Sequence, residues 1–214
     1  MLKTISVHQA FRSNLHRHDL RKNEIFELNE KYGPCDFYYA ILEFDTEFFD
    51  KCRYVRFEKK DRRGEVALNI TNKQDRILLH TKPFYPDQIY RIPTGGIKED
   101  EPVLDSLTRE LWEETGFKIK TFYLQAIILY EFRHIMSKSI IPFSSYLFSV
   151  RPHSDHPRVM DTSENISGFE WAPPSHLVTV VDNLKNLSPK RWNDWGRMRA
   201  PVHEIIAASL NLDS

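Results

Sequence analysis

Residues 95–117, GGIKEDEPVLDSLTRELWEETGF, constrain this chain more than any other part of its sequence. Pro102 stands in the first turn of a helix predicted over residues 102–115, and Gly116 follows directly after that helix. Proline at the start and glycine just past the end are usual boundaries of an α-helix. The segment therefore predicts a loop that contains glycine, followed by a helix that ends at Gly116.

Three glutamates lie on one side of this helix. Each residue of an α-helix advances by about 100°, so Glu110, Glu113 and Glu114 fall within an arc of roughly 100° at the rim of the apolar stripe. Three unneutralised carboxylates at this spacing would repel one another unless a cation lay among them. Hard oxygen ligands of this kind suit Mg²⁺ or Mn²⁺. Arg109, four residues before Glu113, is placed to orient it.

The spacing of this segment resembles the signature of the Nudix hydrolase family, the Nudix box. It matches every defined position of the pattern G-x5-E-x7-R-E-U-x-E-E-x-G-U, in which U is a bulky aliphatic or aromatic residue. The matching residues are Gly95, Glu101, Arg109, Glu110, Leu111, Glu113, Glu114, Gly116 and Phe117. The resemblance implies an α+β Nudix fold, in which a mixed β-sheet is sandwiched between helices in an α/β/α arrangement.

The resemblance also implies an enzyme. Nudix hydrolases cleave a pyrophosphate bond in a nucleoside diphosphate linked to another group, by attack of water on phosphorus. Carried over by position, the implied ligands of Mg²⁺ or Mn²⁺ are Glu110, Glu113, Glu114 and the backbone near Gly95. Glu101 and Arg109 would brace the loop and the helix.

Many family members carry a further catalytic glutamate in a loop after the box. Glu164, in DTSENISGFEW, stands before a predicted strand and is the preferred candidate. Glu131, at the end of the predicted strand LYEF, is the alternative. The predicted catalytic set is therefore Glu110, Glu113 and Glu164.

Basic and aromatic residues around the box are candidates for substrate contacts. The predicted phosphate-binding residues are Arg91, Lys98 and Arg133, with Lys82 a weaker candidate. The aromatic residues Phe84, Tyr85 and Tyr90 offer faces for a base, although core packing is the favoured role.

The substrate is less constrained than the chemistry. The part before the box resembles the N-terminal part of sugar-nucleotide hydrolases, which pairs with a second copy. We therefore expect ADP-ribose or a nucleotide sugar as the substrate, and a homodimer. The alternative is a nucleotide-binding sensor or regulatory domain without turnover. Such domains commonly lose box glutamates, and this chain keeps all of them.

The predicted organisation is an N-terminal extension at 1–60 (a helical arm, then strands), a Nudix domain at 61–180 and a helical tail at 181–214. RYVRFE, residues 53–58, is expected to form a hairpin with EVALNI. QIYRIP, residues 88–93, is expected to be a strand followed by a flexible loop.

Composition excludes some classes of partner. The 30 basic and 30 acidic residues give no net charge, which argues against broad nucleic-acid binding. No run approaches 18 apolar residues, so no membrane span is predicted. Cys35 and Cys52 are the only cysteines and lack metal-binding spacing, so a cytoplasmic protein is expected.

Overall fold

The computed structural model describes residues 2–5, 21–45, 47–60 and 62–211. Residues 6–20 of the predicted N-terminal arm lie outside the described residues. The strands are β1 (Leu2–Ile5), β2 (Asp36–Phe44), β3 (Gly64–Ile70), β4 (Ile77–Thr81), β5 (Thr94–Ile97), β6 (Ile119–His134), β7 (Ile140–Pro152) and β8 (Gly168–Ala172). The helices are α1 (Lys22–Tyr32), α2 (Glu47–Arg53), α3 (Val103–Thr115), α4 (His176–Lys185) and α5 (Lys190–Ser209).

Six strands form one mixed sheet in the order β1-β2-β6-β7-β3-β5. The pairs β2/β6 and β3/β7 are parallel, whereas β1/β2, β6/β7 and β3/β5 are antiparallel. Every residue of β3 is buried, as expected for a strand covered on both faces. β4 and β8 form a separate antiparallel pair, which brings residues 81 and 168 opposite each other.

Helices cover both faces of the large sheet. One apolar cluster contains residues of α1 and α3, among them Ile25, Leu28, Val103, Leu107 and Leu111. The other contains residues of α2, α4 and α5, among them Phe49, Leu177, Leu184, Met198 and Ile206. The predicted α+β fold, with a mixed sheet between helices, is therefore confirmed. None of the described helices is both long and apolar enough to cross a membrane.

Two local predictions were wrong. Residues 53–58 end α2 and continue as a π-helical turn (Tyr54–Glu58), not as a strand. Both edges of β3 are already paired, with β5 and β7, so no edge is free for a hairpin partner. Within 88–93 only Arg91 makes an isolated bridge, and the strand begins at Thr94, in the predicted loop.

Candidate active site

The carboxyl group of Glu110 lies directly against Gly95. A Cβ atom added to Gly95 would stand only 1.8 Å from Glu110 Cδ, so any larger residue would displace that side chain. Glu110 is buried, and burial raises the pKa of its carboxyl group while the guanidinium of Arg109 opposes the shift. Gly95 in β5 therefore leaves the space in which α3 places the carboxylate of Glu110 over the backbone.

Arg109 joins the loop to the helix through five hydrogen bonds. It donates to both carboxylate oxygens of Glu101 at 2.7 and 2.8 Å, and to the carbonyl oxygen of Gly96 at 2.8 Å. Its Nη1 donates to Glu110 at 2.7 Å and to Glu113 at 2.9 Å. One guanidinium group thus fixes the relative positions of β5, the connecting loop and two box glutamates.

Glu114 is fully buried, and neither of its carboxylate oxygens has a hydrogen-bond partner. Burial raises the pKa of this carboxyl group to about 8, although the positive charges of Arg91 and Lys82 oppose the shift. An unsatisfied buried carboxylate is costly unless it binds a proton or a cation. Glu114 therefore has two buried oxygens with unused acceptor capacity.

The ammonium group of Lys82 lies between Glu114 and Glu164. Lys82 Nζ donates to Glu164 Oε2 at 3.0 Å and stands 3.9 Å from Glu114 Oε1. The negative charge of Glu164 acts on both Glu110 and Glu114, and in each case it adds to the rise in pKa that burial causes. Three carboxylates and one ammonium group thus form a single electrostatic cluster at this end of α3.

The segment that precedes Glu164 docks on the end of α3. The backbone N–H groups of Met160 and Asp161 both donate to the carbonyl oxygen of Glu113, at 3.0 Å each. These bonds satisfy a carbonyl group that the helix itself leaves without a partner. Gly116 has φ +67°, and a Cβ there would lie 2.9 Å from the carbonyl oxygen of Arg158. A glycine at this position therefore serves both the left-handed helix end and the close approach of the segment.

Glu131 and Arg133 are not part of this cluster. Arg133 donates to Glu131 at 2.6 and 3.0 Å. Burial and a hydrogen bond to Glu131 raise the pKa of Tyr39 on the adjacent strand β2 to about 12. These contacts of Glu131 and Arg133 lie on β6 and between β6 and β2. The phosphate-binding role of Arg133 stays a prediction.

Arg91 and Lys98 occupy different environments. Arg91 is only 3% exposed and donates to Tyr85 Oη at 2.9 Å, to Thr94 Oγ1 at 2.9 Å and to a backbone carbonyl. Its Nε and Nη1 donors are used within the core, while its positive charge acts on Glu114, so the predicted contact of Arg91 with phosphate stays a prediction. Lys98 is exposed, and its backbone N–H donates to Glu101 at 3.1 Å.

The position of Lys82 beside Glu114 and Glu164 was not predicted from the sequence. Lys82 directly follows β4, and Glu164 lies shortly before β8, so the antiparallel pairing of Thr81 with Gly168 brings the two together. The signal that identifies Lys82 is therefore a strand pairing between distant segments, which residue spacing alone does not reveal.

The oxygen donors at this site fit a hard divalent cation. Within the described part of the chain, no three Asp, Glu, His or Cys side chains already form a complete ligand set. Glu113 is turned towards Arg109, and Lys82 occupies the space between Glu114 and Glu164. The unpartnered Glu114 oxygens and the neighbouring Glu110 nevertheless supply the buried oxygen ligands that Mg²⁺ or Mn²⁺ prefers.

Comparisons with known proteins agree with these observations. The family model described as NUDIX domain matches residues 61–195, more than half of the chain. "Nudix hydrolase 7" of Arabidopsis thaliana is 25% identical over 124 residues, which cover 58% of this chain and 42% of that protein. "RNA pyrophosphohydrolase" of Psychrobacter sp. (strain PRwf-1) is 24% identical over 135 residues, covering 58% of this chain and 77% of that protein.

Solved structures show a more distant likeness. The MutT protein of Bacillus halodurans is 21% identical with a TM-score of 0.44, and the match covers 54% of this chain and 71% of that chain. The match with this chain spans less than half the length of the plant relative.

Proposed function

The chain belongs to the Nudix family, and on that premise we propose that it hydrolyses a pyrophosphate bond in a nucleoside diphosphate linked to a second group, with Mg²⁺ or Mn²⁺. The observation that carries this proposal is the buried carboxylate of Glu114, which lies near Glu110 and Lys82. Neither of its two oxygens has a hydrogen-bond partner. A divalent cation accepted there would neutralise these charges and those of a bound diphosphate.

The proposed roles divide between holding the cation and handling the water molecule. Glu110, Glu113, Glu114 and the backbone near Gly95 would hold the cation. When bound, the cation would stabilise phosphate charge and lower the pKa of the attacking water. Glu164 is proposed to accept a proton from that water or to orient it, because its carboxylate lies in the same cluster as Glu110 and Glu114.

Arg109 and Glu101 are proposed to act as positioning residues. Their hydrogen bonds fix the loop against α3, so Glu110 and Glu113 are oriented before any ligand arrives. Lys98 is exposed next to Glu101 and is proposed, with Arg91 and Arg133, as a candidate for a phosphate contact.

We propose ADP-ribose or a nucleotide sugar as the substrate. The name of the bacterial relative supports a pyrophosphate bond as the target. A chain with 30 basic and 30 acidic residues lacks the excess of positive charge expected for broad RNA binding, which favours a small nucleotide.

A panel of nucleoside diphosphate derivatives tests the proposal. The chain is incubated with ADP-ribose, nucleotide sugars and nucleoside triphosphates plus Mg²⁺ or Mn²⁺, and monophosphate or phosphate release is measured with and without excess EDTA. We expect metal-dependent release from at least one diphosphate derivative, and its loss by a factor of about 10²–10⁴ in Glu113→Gln. Tight binding without turnover by any member would favour the alternative of a sensor domain, and turnover in excess EDTA would reject the metal dependence.

Two further properties are proposed on sequence grounds. The homodimer is consistent with β1, which among the described strands lies at one edge of the six-stranded sheet, where a strand of a second copy would add. Light scattering of the full chain over a range of concentrations tests it, and a constant monomer mass would reject it. A cytoplasmic location is the second, and imaging of the tagged full-length protein in cells tests it.

A further inference from the structure

A cavity of about 770 Å³ opens between α2, α5 and the adjoining ends of β6 and β7. This volume lies within the range of about 300–1,000 Å³ that is typical of small-molecule sites. Its aromatic lining consists of Phe48, Phe84, Phe132, Phe143, Trp192 and Trp195. The size and lining suit a planar ring system.

The cavity also carries an excess of positive charge. Its basic lining residues are Lys51, Arg56, Arg62, Arg191 and Arg199, whereas Glu47 is its one acidic lining residue within the described part of the chain. Three of these charges are paired, because Arg199 lies 2.5 Å from Glu65, Arg56 lies 3.2 Å from Glu99 and Arg191 lies 3.9 Å from Glu47. The remaining excess favours a ligand that combines an aromatic ring with negative charge.

Arg62 connects the cavity to the active site. It lines the cavity, and its Nε lies 2.7 Å from the position of a Cβ added to Gly96, so the guanidinium group packs on the loop of the Nudix box. Its charge acts on Glu110, where burial raises the pKa and the positive charges of Arg109 and Arg62 lower it. Arg62 therefore lies on Gly96 of β5, the residue next to the glycine against which Glu110 lies.

The indole rings of the cavity wall are held in fixed orientations. Trp192 and Trp195 stand perpendicular to each other at 5.4 Å between ring centroids, and Tyr85 packs against Trp195 at 4.9 Å. Both indoles are half-buried and rest against the apolar core while lining the cavity. Phe84 is 59% exposed on the cavity lining. Rigid aromatic faces of this kind bind a planar ring at a low cost in conformational entropy.

We propose that this cavity binds the aromatic base of the substrate, and that Arg62 contacts the phosphate chain as it passes to the carboxylates beside Gly95. This inference rests on the proposed function and adds the part of the molecule that holds the base of the substrate. The substrate is a nucleotide derivative whose base is enclosed by Trp192, Trp195 and Phe84, and the second group extends away from the cavity. Diphosphates without an aromatic base are poor substrates.

Part of the cavity wall comes from outside the matched family segment, residues 61–195. The lining residues Glu47 to Arg56 belong to α2 and its π-helical turn, and Met198 and Arg199 belong to the later part of α5. Residues of α2, of its π-helical turn and of α5 therefore take part in substrate selection.

Two product-like probes separate the base from the phosphate. AMP carries both groups, whereas ribose 5-phosphate carries the phosphate and sugar alone. Binding to the full chain is measured by calorimetry in Mg²⁺, where neither probe contains a pyrophosphate bond to cleave. We expect AMP to bind at least about tenfold more tightly, because stacking of a base on aromatic side chains commonly contributes a factor of this size or more.

Three variants locate the contacts. Trp192→Leu should weaken AMP binding about tenfold and leave ribose 5-phosphate unchanged. Phe84→Ala, at a position that is 59% exposed, should act in the same direction. Arg62→Met should weaken both probes to a similar extent, because it removes a phosphate contact. Trp112→Leu, at a tryptophan 45% exposed on α3 that does not line the cavity, is the matched control and should change neither.

The two proposals fail in different ways. Equal affinity for AMP and ribose 5-phosphate, or AMP binding unchanged in both Trp192→Leu and Phe84→Ala, would overturn the cavity inference even if the chain hydrolyses diphosphates. Base-dependent AMP binding that these variants weaken would support the cavity, even if no diphosphate is hydrolysed and the proposed function is rejected. With an active substrate, Trp192→Leu should raise KM about tenfold and keep kcat within about twofold.

Discussion

Lys82 donates a 3.0 Å hydrogen bond to Glu164, and the same ammonium group lies 3.9 Å from Glu114. It is the basic group nearest to the unpartnered oxygens of Glu114 among the ion pairs of the described residues. A divalent cation that binds these carboxylates must therefore share their charge with Lys82 or displace it.

Lys82→Met should change metal binding and stability in opposite directions. The metal-free variant should melt at a lower temperature than wild type, because Glu164 and Glu114 lose the positive charge of Lys82. Mn²⁺ should then raise the melting temperature by more than in wild type, because the competing cation is gone. Thermal melting with EDTA and with graded Mn²⁺ measures both effects.

Lys118→Met is the control for this comparison, since Lys118 is exposed just beyond α3. It should melt like wild type with and without Mn²⁺. An equal response to Mn²⁺ in wild type and Lys82→Met would show that Lys82 does not compete for the carboxylates.

The raised pKa of Glu114 predicts how the metal-free stability changes with pH. Its pKa is about 8 in the folded protein and 4.5 in its ordinary state. Between these values the folded chain holds a proton that the unfolded chain has lost. The free energy of unfolding should therefore fall as pH rises from about 4.5 to 8, by at most about 1.4 kcal/mol per pH unit from this group.

Glu114→Gln should remove this contribution and be more stable than wild type at pH 8 in EDTA. Urea unfolding at pH 5, 6, 7 and 8 gives the difference between variant and wild type, in which the contributions of the buried histidines His80 and His203 cancel. The exposed control Glu170→Gln should keep the wild-type slope. Parallel curves for Glu114→Gln and wild type would contradict the assignment.

Gly95→Ala should impair catalysis without unfolding the chain. The added methyl group would stand 1.8 Å from Glu110 Cδ, so the end of that side chain must move. The backbone at Gly95 is outside the left-handed region, so alanine itself is tolerated there. We expect kcat to fall by about 10²-fold or more while the free energy of unfolding changes by about 1 kcal/mol or less.

Gly168→Ala is the matched control, because its added methyl group would meet Thr81 and Tyr90 at an ordinary 3.5 Å. Its kcat should stay near wild type. Full activity in Gly95→Ala would mean that the position of Glu110 over this glycine is not required.

Glu164→Gln and Glu131→Gln distinguish the two candidates for the late catalytic acid. Glu164 shares the charge cluster of the box, whereas Glu131 pairs with Arg133. We expect Glu164→Gln to lower kcat by about 10²–10⁴, the usual contribution of a general base, and Glu131→Gln to stay within about threefold of wild type. The reverse pattern would assign the role to Glu131, and two near-normal variants would place the base among the box glutamates.

Local sequence signals were sufficient to predict α3, the helix of the Nudix box. Its predicted range, 102–115, agrees with Val103–Thr115, because Pro102 and Gly116 act on the backbone through their own geometry. The arc of carboxylates at the rim of the apolar stripe follows from the same helical periodicity. The structure adds that Glu113 faces Arg109, a choice of side-chain rotamer that periodicity does not determine.

Non-local packing explains what the sequence did not predict. Residues 53–58 alternate like a strand, yet β3 has no free edge for them. Thr94 to Ile97 read as a flexible loop, yet they pair with β3 and receive Glu110 against Gly95. The position of Lys82 depends on the pairing of β4 with β8, and the cavity depends on α2 and α5 packing on the same face of the sheet.

The cavity wall has a consequence for how this chain diverges from its relatives. The residues proposed to cleave the bond lie in 95–117 and 164, whereas much of the wall that encloses the base comes from 47–56 and 191–199. Substitutions in these two flanking stretches therefore alter which nucleotides are accepted while the bond-breaking carboxylates stay untouched. Selection for a new substrate can act on these two stretches alone. Two proteins that descend from one ancestor can therefore share the same catalytic residues and accept different nucleotides.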